Sequence, residues 1–236
     1  MARAILTHNA SHPGTGARVP DAEENFFGFG LPGGITSALE CEPWSSTLIF
    51  EDQLRTGNYL EWDDFPYPDC LKSNGKFHGE ISMTLAFSPA RGASWGAEYC
   101  ETHIEANFGV YHRRRSRETG AVTLQFKGLV PPEHKNPGLL YESYQVEKLR
   151  KWAPVRTYFG DLGENGVRGE RWRLKVRLLC RHGISTPQRF ALLVTIADPK
   201  HAAPVYNEMA VKIRSRFSAE NLSLRPTVRI QTQGTA

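Results

Sequence analysis

The sequence predicts a mainly β protein, a β-sandwich or jelly-roll-like domain, because two long stretches alternate like strands and turn residues recur between shorter ones. In residues 77–88 (FHGEISMTLAFS), Ile81, Met83 and Leu85 lie on one side, and mostly polar residues lie on the other. Residues 189–197 (RFALLVTIA) repeat this alternation. Successive side chains of a strand point to opposite faces, so each stretch has an apolar face that needs cover. Two sheets packed face to face supply that cover.

The chain begins with a short predicted helix. Residues 1–9 place Ala2, Ile5 and Leu6 on one face, and Asn9 closes the segment. A helix of this length is marginal alone. We therefore expect it to dock against a partner, for which a segment upstream of the first residue is one candidate.

Strands and turns account for most of the remaining chain. Residues 72–76 predict a hairpin turn, because Asn-Gly favours the two-residue turns of hairpins. Residues 65–68 (FPYP) predict an extended edge segment, since proline cannot donate to a central ladder. The polar residues 52–64 predict a turn-rich connection. Further strands are predicted at residues 47–51, 100–110, 122–126, 156–160, 171–181 and 227–231.

Two stretches are ambiguous by pattern alone. Residues 139–152 fit either a helix or a strand followed by a turn, and we favour the second. Residues 205–213 (VYNEMAVKI) fit either a strand or a short helix. With about eight to ten strands between turn signals, the whole is typical of a sandwich or jelly roll.

Basic residues cluster in two places, although the net charge of +4 over 236 residues is mild. Residues 112–117 (HRRRSR) predict a solvated loop, with binding of phosphate or of an acidic partner as the alternative. Residues 171–177 alternate, which predicts a strand with a basic outer face. Aromatic residues do not interleave with the arginine run, so nucleic-acid binding is disfavoured. The candidate interaction surface comprises Arg113, Arg114, Arg115, Arg117, Arg171, Arg173, Lys175 and Arg177.

No motif in the sequence predicts a catalytic, cofactor-binding or metal-binding residue. The four cysteines form no CxxC pair and the eight histidines form no HExxH, so a zinc site is not expected. Asp63, Asp64 and Asp69 are expected in a solvated acidic turn, with calcium binding as the alternative. No serine stands in a nucleophile motif such as GxSxG.

The sequence also bears on the compartment. It contains no apolar run long enough to span a membrane, and its first ten residues lack the pattern of a secretory signal. Cysteines without paired spacing fit a reducing environment. The cytoplasm is therefore the predicted compartment.

Several stretches, taken in order, resemble subtilisin-like serine peptidases. Residues 4–10 (AILTHNA), followed by residues 27–32 (FGFGLP), resemble the end of the catalytic domain, just beyond the helix that bears the serine in that family. Later stretches resemble the C-terminal β-domain of a bacterial, intracellular branch of these peptidases, namely residues 81–87, 151–156, 172–174 and 190–208. The resemblance implies that residues 1–45 are a short helical remnant of an α/β catalytic domain, and that residues 46–236 are a β-sandwich domain.

The resemblance implies part of a serine endopeptidase that is inactive alone. In that family the catalytic aspartate, histidine, oxyanion asparagine and serine all precede the matching segment, so no catalytic residue carries over. The implied partners are a subtilisin-like catalytic domain or upstream polypeptide, contacted around residues 26–32, and a protein substrate; no cofactor or membrane is implied. The implied role is to stabilise the catalytic domain or recruit substrate. The alternative is a free-standing β-sandwich module that binds a protein or a glycan.

Overall fold

The computed structural model describes residues 1–11, 29–33, 42–92, 100–115, 120–131, 153–180 and 187–219. These residues form a mainly β protein with antiparallel strand pairing, which confirms the mainly β part of the predicted fold class. The strands are β1 (Ala10–Ser11), β2 (Leu31–Pro32), β3 (Ser45–Leu54), β4 (Tyr59–Phe65), β5 (Lys72–Ser73), β6 (Lys76–Phe77), β7 (Glu80–Phe87), β8 (Thr102–Arg115), β9 (Val122–Val130), β10 (Val155–Asp161), β11 (Val167–Arg168), β12 (Arg171–Cys180) and β13 (Gln188–Ala197). The described helices are α1 (Ala2–His8), α2 (Val205–Ala219) and a 3-10 turn, Asp69–Leu71.

The first sheet has the strand order β10-β7-β13-β3 and places the two long alternating stretches at its centre. Strands β7 and β13 pair in register, with Leu85 opposite Leu192 and Met83 opposite Val194. All four of these side chains have no exposed surface. The strands predicted at residues 77–88 and 189–197 are therefore confirmed.

The second sheet has the order β4-β12-β8-β9. Strand β12 alternates as predicted, because Trp172, Leu174 and Val176 are buried whereas the basic residues between them are less covered. The apolar faces of both four-stranded sheets belong to a single buried cluster, which also receives Val205 and Met209 of α2. A shared cluster of this kind holds the two sheets together by the hydrophobic effect.

Helix α1 docks on the other face of the first sheet. Ala4 is fully buried in a small cluster with Ala191 and Leu193. The predicted helix is confirmed, but its predicted apolar face is wrong, because Leu6 is 42% exposed. The face of α1 that carries Ala4 and His8 is the one that contacts the sheet, and its partner in the described residues is this chain's own first sheet.

The predicted hairpin at residues 72–76 is confirmed by β5 and β6. Asn74 and Gly75 have φ angles of 51° and 70°, the two left-handed residues that a type I′ turn requires. Gly79, which follows the hairpin, also has a positive φ, of +105°. A Cβ there would lie 2.7 Å from the carbonyl oxygen of Ala197, so only glycine fits without a shift of the backbone.

The ambiguous residues 205–213 are helical and form the first part of α2. The loop before α2 is closed by Asp198, whose carboxylate accepts backbone N–H bonds from Lys200, Ala202 and Ala203 at 3.0, 2.9 and 2.8 Å. In the described residues, no helix is long and apolar enough to cross a membrane.

Two predictions are corrected. Residues 52–64 are not only a turn-rich connection, because β4 begins at Tyr59 and buries Leu60 and Phe65. The basic residues up to Arg115 are not a loop but the end of β8, paired with β9. The predictions for residues 139–152 and 227–231, and the position of Arg117, lie outside the described residues.

Candidate functional site

The predicted basic face lies on the surface of the second sheet, where carboxylates from neighbouring strands pair with it. The pairing follows from strand register, because β4 and β8 place acidic residues directly beside the cations of β12. The ion pairs are Arg171–Asp63 (3.1 Å), Arg173–Glu61 (3.5 Å), Lys175–Glu61 (3.6 Å) and Arg177–Glu105. We call this row of ion pairs the charge ladder. Carboxylates balance its positive charges, so it differs from a uniformly cationic patch.

Aromatic rings from other strands lie among the same cations. The guanidinium of Arg173 lies 3.5 Å from the ring centroid of Phe126, and Lys175 Nζ lies 3.9 Å from that of Tyr59. Arg171 lies 4.9 Å from the ring of Tyr111. Cations over ring faces are attracted by the ring quadrupole. The sequence showed no such interleaving because the rings come from separate strands.

The end of the β8–β9 hairpin carries the other predicted residues. Arg113 pairs with Glu170 at 3.1 Å, and both side chains are largely exposed. Arg114 donates to the side chain of Gln125, and Arg115 donates to a backbone carbonyl. Neither Arg114 nor Arg115 has a carboxylate partner in the part of the chain that the structure describes. These two arginines are the most available cations of the predicted surface.

A buried cation was not anticipated from the sequence. Arg156 is fully buried in β10, and its terminal nitrogens lie 3.0 and 2.7 Å from the two ring nitrogens of His103. Burial, reinforced by the Arg156 charge, lowers the pKa of His103 far below its usual range. His103 is therefore neutral, and one of its ring nitrogens accepts a hydrogen bond from Arg156.

A pocket opens beside the start of β12, where β4 carries a β-bulge. Phe65 lies opposite Trp172 and Asp63 lies opposite Arg173, so Asp64 is the extra residue. Its φ of 60° is left-handed, a conformation that aspartate tolerates better than most residues. Bulges of this kind bend a strand and redirect its side chains, and they are over-represented next to functional sites.

The pocket has an aromatic floor and a polar rim, with a volume of about 250 Å³. The buried floor residues are Phe65, Pro66, Tyr67, Phe77 and Trp172, and the rim residues are Asp64, Asp69, Lys72, Glu170, Arg171, Lys212 and Ser215. The rings of Tyr67 and Trp172 stack at 4.6 Å with an interplanar angle of 9°. The accessible part of the lining is mostly polar, because the aromatic floor residues are buried.

Two residues that line the pocket each carry a buried donor that lacks an acceptor in the described residues. These donors are the indole Nε1 of Trp172, a side chain that is 1% exposed, and the Nε of Arg171. Native proteins satisfy nearly all buried polar groups, so each exception needs an explanation. Both nitrogens are closed off from solvent, so the open volume of the pocket does not reach them.

Two titratable groups beside the pocket, Tyr67 and Cys70, have raised pKa values, which keep them protonated and therefore poor nucleophiles near neutral pH. Tyr67 donates its hydroxyl to the backbone carbonyl of His78 at 2.7 Å, and burial raises its pKa. Burial also raises the pKa of the Cys70 thiol to about 11, and the nearby Glu208 carboxylate adds to the effect. Since the thiolate is the nucleophilic form, Cys70 is unreactive near neutral pH.

One serine lies beside a histidine. Ser73 Oγ is 2.9 Å from His78 Nε2, and both belong to the exposed hairpin region. A catalytic triad also needs a carboxylate that orients the imidazole. Among the described residues, His78 has no such carboxylate, and no group of three His, Cys, Asp or Glu residues could hold a metal ion.

The sequence contained only a partial signal for this site. Asp64 and Asp69 belong to the predicted acidic turn, and residues 65–68 are the predicted extended edge segment; both segments contribute residues to the pocket lining. Nothing in their spacing indicated that Trp172 and Lys212 would join them. Compared with known proteins, the chain matches no protein-family model, and a search of the curated proteins finds no significant match.

Proposed function

We propose that this chain is the C-terminal, non-catalytic β-domain of a subtilisin-like serine endopeptidase, acting as a fragment or split partner. In this proposal residues 46–236 are a β-sandwich, and residues 1–45 are the end of the catalytic domain. The β-domain stabilises the catalytic domain or recruits its protein substrate in the cytoplasm. The acyl-transfer chemistry belongs to the catalytic domain, and this chain alone does not cleave peptides.

The observation that carries the proposal is the docking of the segment that resembles the end of the catalytic domain. Helix α1 buries Ala4 on the first sheet. His8 Nδ1 lies 2.8 Å from the Thr84 hydroxyl, and His8 Nε2 lies 2.6 Å from that of Thr195. A segment held by buried apolar and hydrogen-bonded contacts is a stiff joint, unlike the exposed linkers that separate independent domains. A stiff joint lets one domain stabilise the other.

The geometry around the nucleophilic side chains supports a non-catalytic role. Ser73 and His78 are in contact but lack an orienting carboxylate in the described residues, and Cys70 is held as a thiol. Removing members of a catalytic triad leaves only residual catalysis. Peptidase activity is therefore assigned to a partner polypeptide.

The test is co-expression of this chain with the polypeptide encoded immediately upstream. We expect a complex that co-purifies and a gain in casein hydrolysis over either chain alone. A His8→Ala variant should weaken that gain, whereas Lys76→Gln, on the distant β6, should not. Absence of a complex together with no gain in hydrolysis would contradict the proposal.

The second candidate is a free-standing β-sandwich module that binds a protein or a glycan. The pocket at the Asp64 bulge favours it, because its aromatic floor and polar rim lie within this chain alone. The two candidates differ in one measurable respect. A free-standing module binds its ligand with the same affinity whether or not the upstream polypeptide is present.

A further inference from the structure

The end of the β8–β9 hairpin extends past the rest of its sheet as a two-stranded arm. Strand β12 pairs with β8 only as far as Tyr111, and beyond that residue the described neighbour of β8 is β9 alone. None of the described residues between 111 and 127 is buried. Because successive residues of a strand point to opposite faces, both faces of these residues are open in the described structure. We call residues 111–127 the hairpin arm.

The hairpin arm carries the net positive charge of the chain. Its sequence (YHRRRSRETGAVTLQFK) contains four arginines, one lysine and one glutamate, a net charge of +4 that equals the net charge of the whole chain. Arg113 pairs with Glu170. Arg114 and Arg115 donate to uncharged acceptors, and neither they nor Lys127 have a carboxylate partner in the described part of the chain. A surface of one sign attracts a partner of the opposite sign.

Strand β9 is also an edge of the second sheet. An edge strand directs half of its backbone N–H and C=O groups away from its single neighbour. The far end of β9 is covered by β10, where Gly160 lies against Val130. Residues 122–127 pair with β8 and have no other backbone partner among the described residues. This open edge is roughly 20 Å long, at ~3.4 Å per residue, which is room for an added strand of about six residues.

The two faces of this open edge differ in chemistry. One face carries Val122 and Leu124, which are 60% and 49% exposed. The other face carries Gln125 and Lys127, and Arg114 reaches across it to donate to the Gln125 side chain at 3.1 Å. A strand added beside β9 would place alternate side chains on these two faces. Acidic side chains would then lie beside the cations, and apolar side chains beside the exposed valine and leucine.

We propose that the open edge of β9 binds an extended acidic peptide as an added strand. The peptide backbone pairs with residues 122–127, as in other cases of strand addition. Its acidic side chains pair with Arg114 and Lys127, and its alternate apolar side chains pack on Val122 and Leu124. The proposal rests on the substrate recruitment proposed above and specifies the substrate class as unfolded, acidic polypeptide. The binding residues all belong to this chain, so the upstream polypeptide is not needed for the test.

Fluorescence anisotropy with the full chain measures binding of a labelled octapeptide that alternates glutamate and valine. We expect saturable binding that weakens as salt is added, because the ion pairs are exposed. One control peptide has lysine in place of glutamate, and another has the same composition with its glutamates in a single block. Both should bind about fivefold more weakly or worse. A labelled oligodeoxythymidine of equal charge tests for a nucleic-acid partner.

Amide exchange distinguishes strand addition from general electrostatic attraction. When the alternating peptide is bound, the outward amides of residues 122–127 should exchange more slowly. Strand β4 is the matched control, because it forms the opposite edge of the same sheet and its amides should exchange as before. Binding of the peptide without protection of β9 would overturn the proposal.

The decisive variant combines Arg114→Gln with Lys127→Gln, at two exposed positions where the fold is spared. It should bind the alternating peptide roughly five- to tenfold more weakly, because two exposed ion pairs are lost. The combination of Lys76→Gln with Arg168→Gln removes the same charge from the paired strands β6 and β11, outside the hairpin arm, and should bind as the unaltered chain does.

Four further results would each overturn the assignment. They are no binding of the alternating peptide, equal binding of either control peptide, tighter binding of the oligodeoxythymidine, and unaltered affinity in the hairpin-arm variant. None of them changes the expected complex or the gain in casein hydrolysis on co-expression, so failure here and failure of the proposed function are distinguishable.

Discussion

Replacing His8 by alanine tests the joint between α1 and the first sheet. The imidazole contacts two hydroxyls, of Thr84 at 2.8 Å and of Thr195 at 2.6 Å. Thr195 keeps a bond to Thr47 at 2.6 Å, but Thr84 is 1% exposed and loses its hydroxyl partner. The substitution therefore removes two hydrogen bonds and leaves one buried hydroxyl without a partner.

The expected loss of stability is confined to the docking of α1. Each hydrogen bond contributes about 0.5–1.5 kcal/mol net, so the docked state of α1 loses about 1–3 kcal/mol. This corresponds to an increase of roughly 5- to 150-fold in the opening equilibrium. A seven-residue helix has little stability of its own, so α1 opens while the two large sheets stay folded. Alanine has the higher helix propensity, so the change in propensity works against the predicted loss.

Amide exchange followed by mass spectrometry measures this opening directly. The amides of Ile5 and Asn9, which donate within α1, should exchange faster in His8→Ala, with β13 unchanged. Leu6→Ala is the matched control, because that side chain is 42% exposed on the same helix. Unchanged exchange in α1, or an equal loss of protection throughout the sheets, would refute the docking role of His8.

Three further predictions concern stability. Burial alone raises the pKa of the Asp198 carboxyl, but hydrogen bonds from backbone N–H groups hold that pKa below its ordinary value. The ionised carboxylate therefore stabilises the folded state at pH values above the unfolded pKa of about 3.9. This stabilisation is lost as the pH falls through the lower pKa of the folded state. The urea midpoint of the unaltered chain should exceed that of Asp198→Asn at about pH 6, and a gap that does not shrink toward about pH 3 would contradict this reasoning. Gly79→Ala should lower the free energy of unfolding by about 2–4 kcal/mol, because the new Cβ adds both left-handed backbone strain and overpacking. Gly57→Ala is the control, because Gly57 has φ +80° but open space around it, and it should lower that free energy by about 1 kcal/mol. Equal losses in the two variants would contradict the steric explanation. Glu61→Gln should cost about 1 kcal/mol in low salt and less at about 1 M, and a salt-independent loss would show that the charge ladder is not its cause.

The sequence predicted the strands whose two faces differ strongly. Period-two alternation identified β7, β12 and β13, because one face of each packs into the shared core. Strand β4 was missed because its alternate residues Glu61 and Asp63 resemble a solvated acidic loop. In the fold they face the cations of β12, and a single sequence does not show which charges will become neighbours.

The candidate site was harder to predict, since it depends on one extra residue in β4. The bulge at Asp64 sets Phe65 against Trp172 and lets the following prolines leave the sheet. A left-handed aspartate leaves no mark in a pattern of apolar and polar residues. The pocket also draws its lining from segments far apart in sequence, so its charge balance could be counted only after they were brought together.

The charge ladder and the pocket meet at Arg171, which pairs with Asp63 and also lines the pocket. One terminal nitrogen of the guanidinium pairs with Asp63 at 3.1 Å, and its carbon lies 4.9 Å from the ring of Tyr111. These two contacts fix the plane of the guanidinium, because an ion pair and a ring face constrain it in different directions. The Nε of the same side chain is buried and has no acceptor among the described residues. The charge ladder therefore holds one wall of the pocket in a fixed orientation.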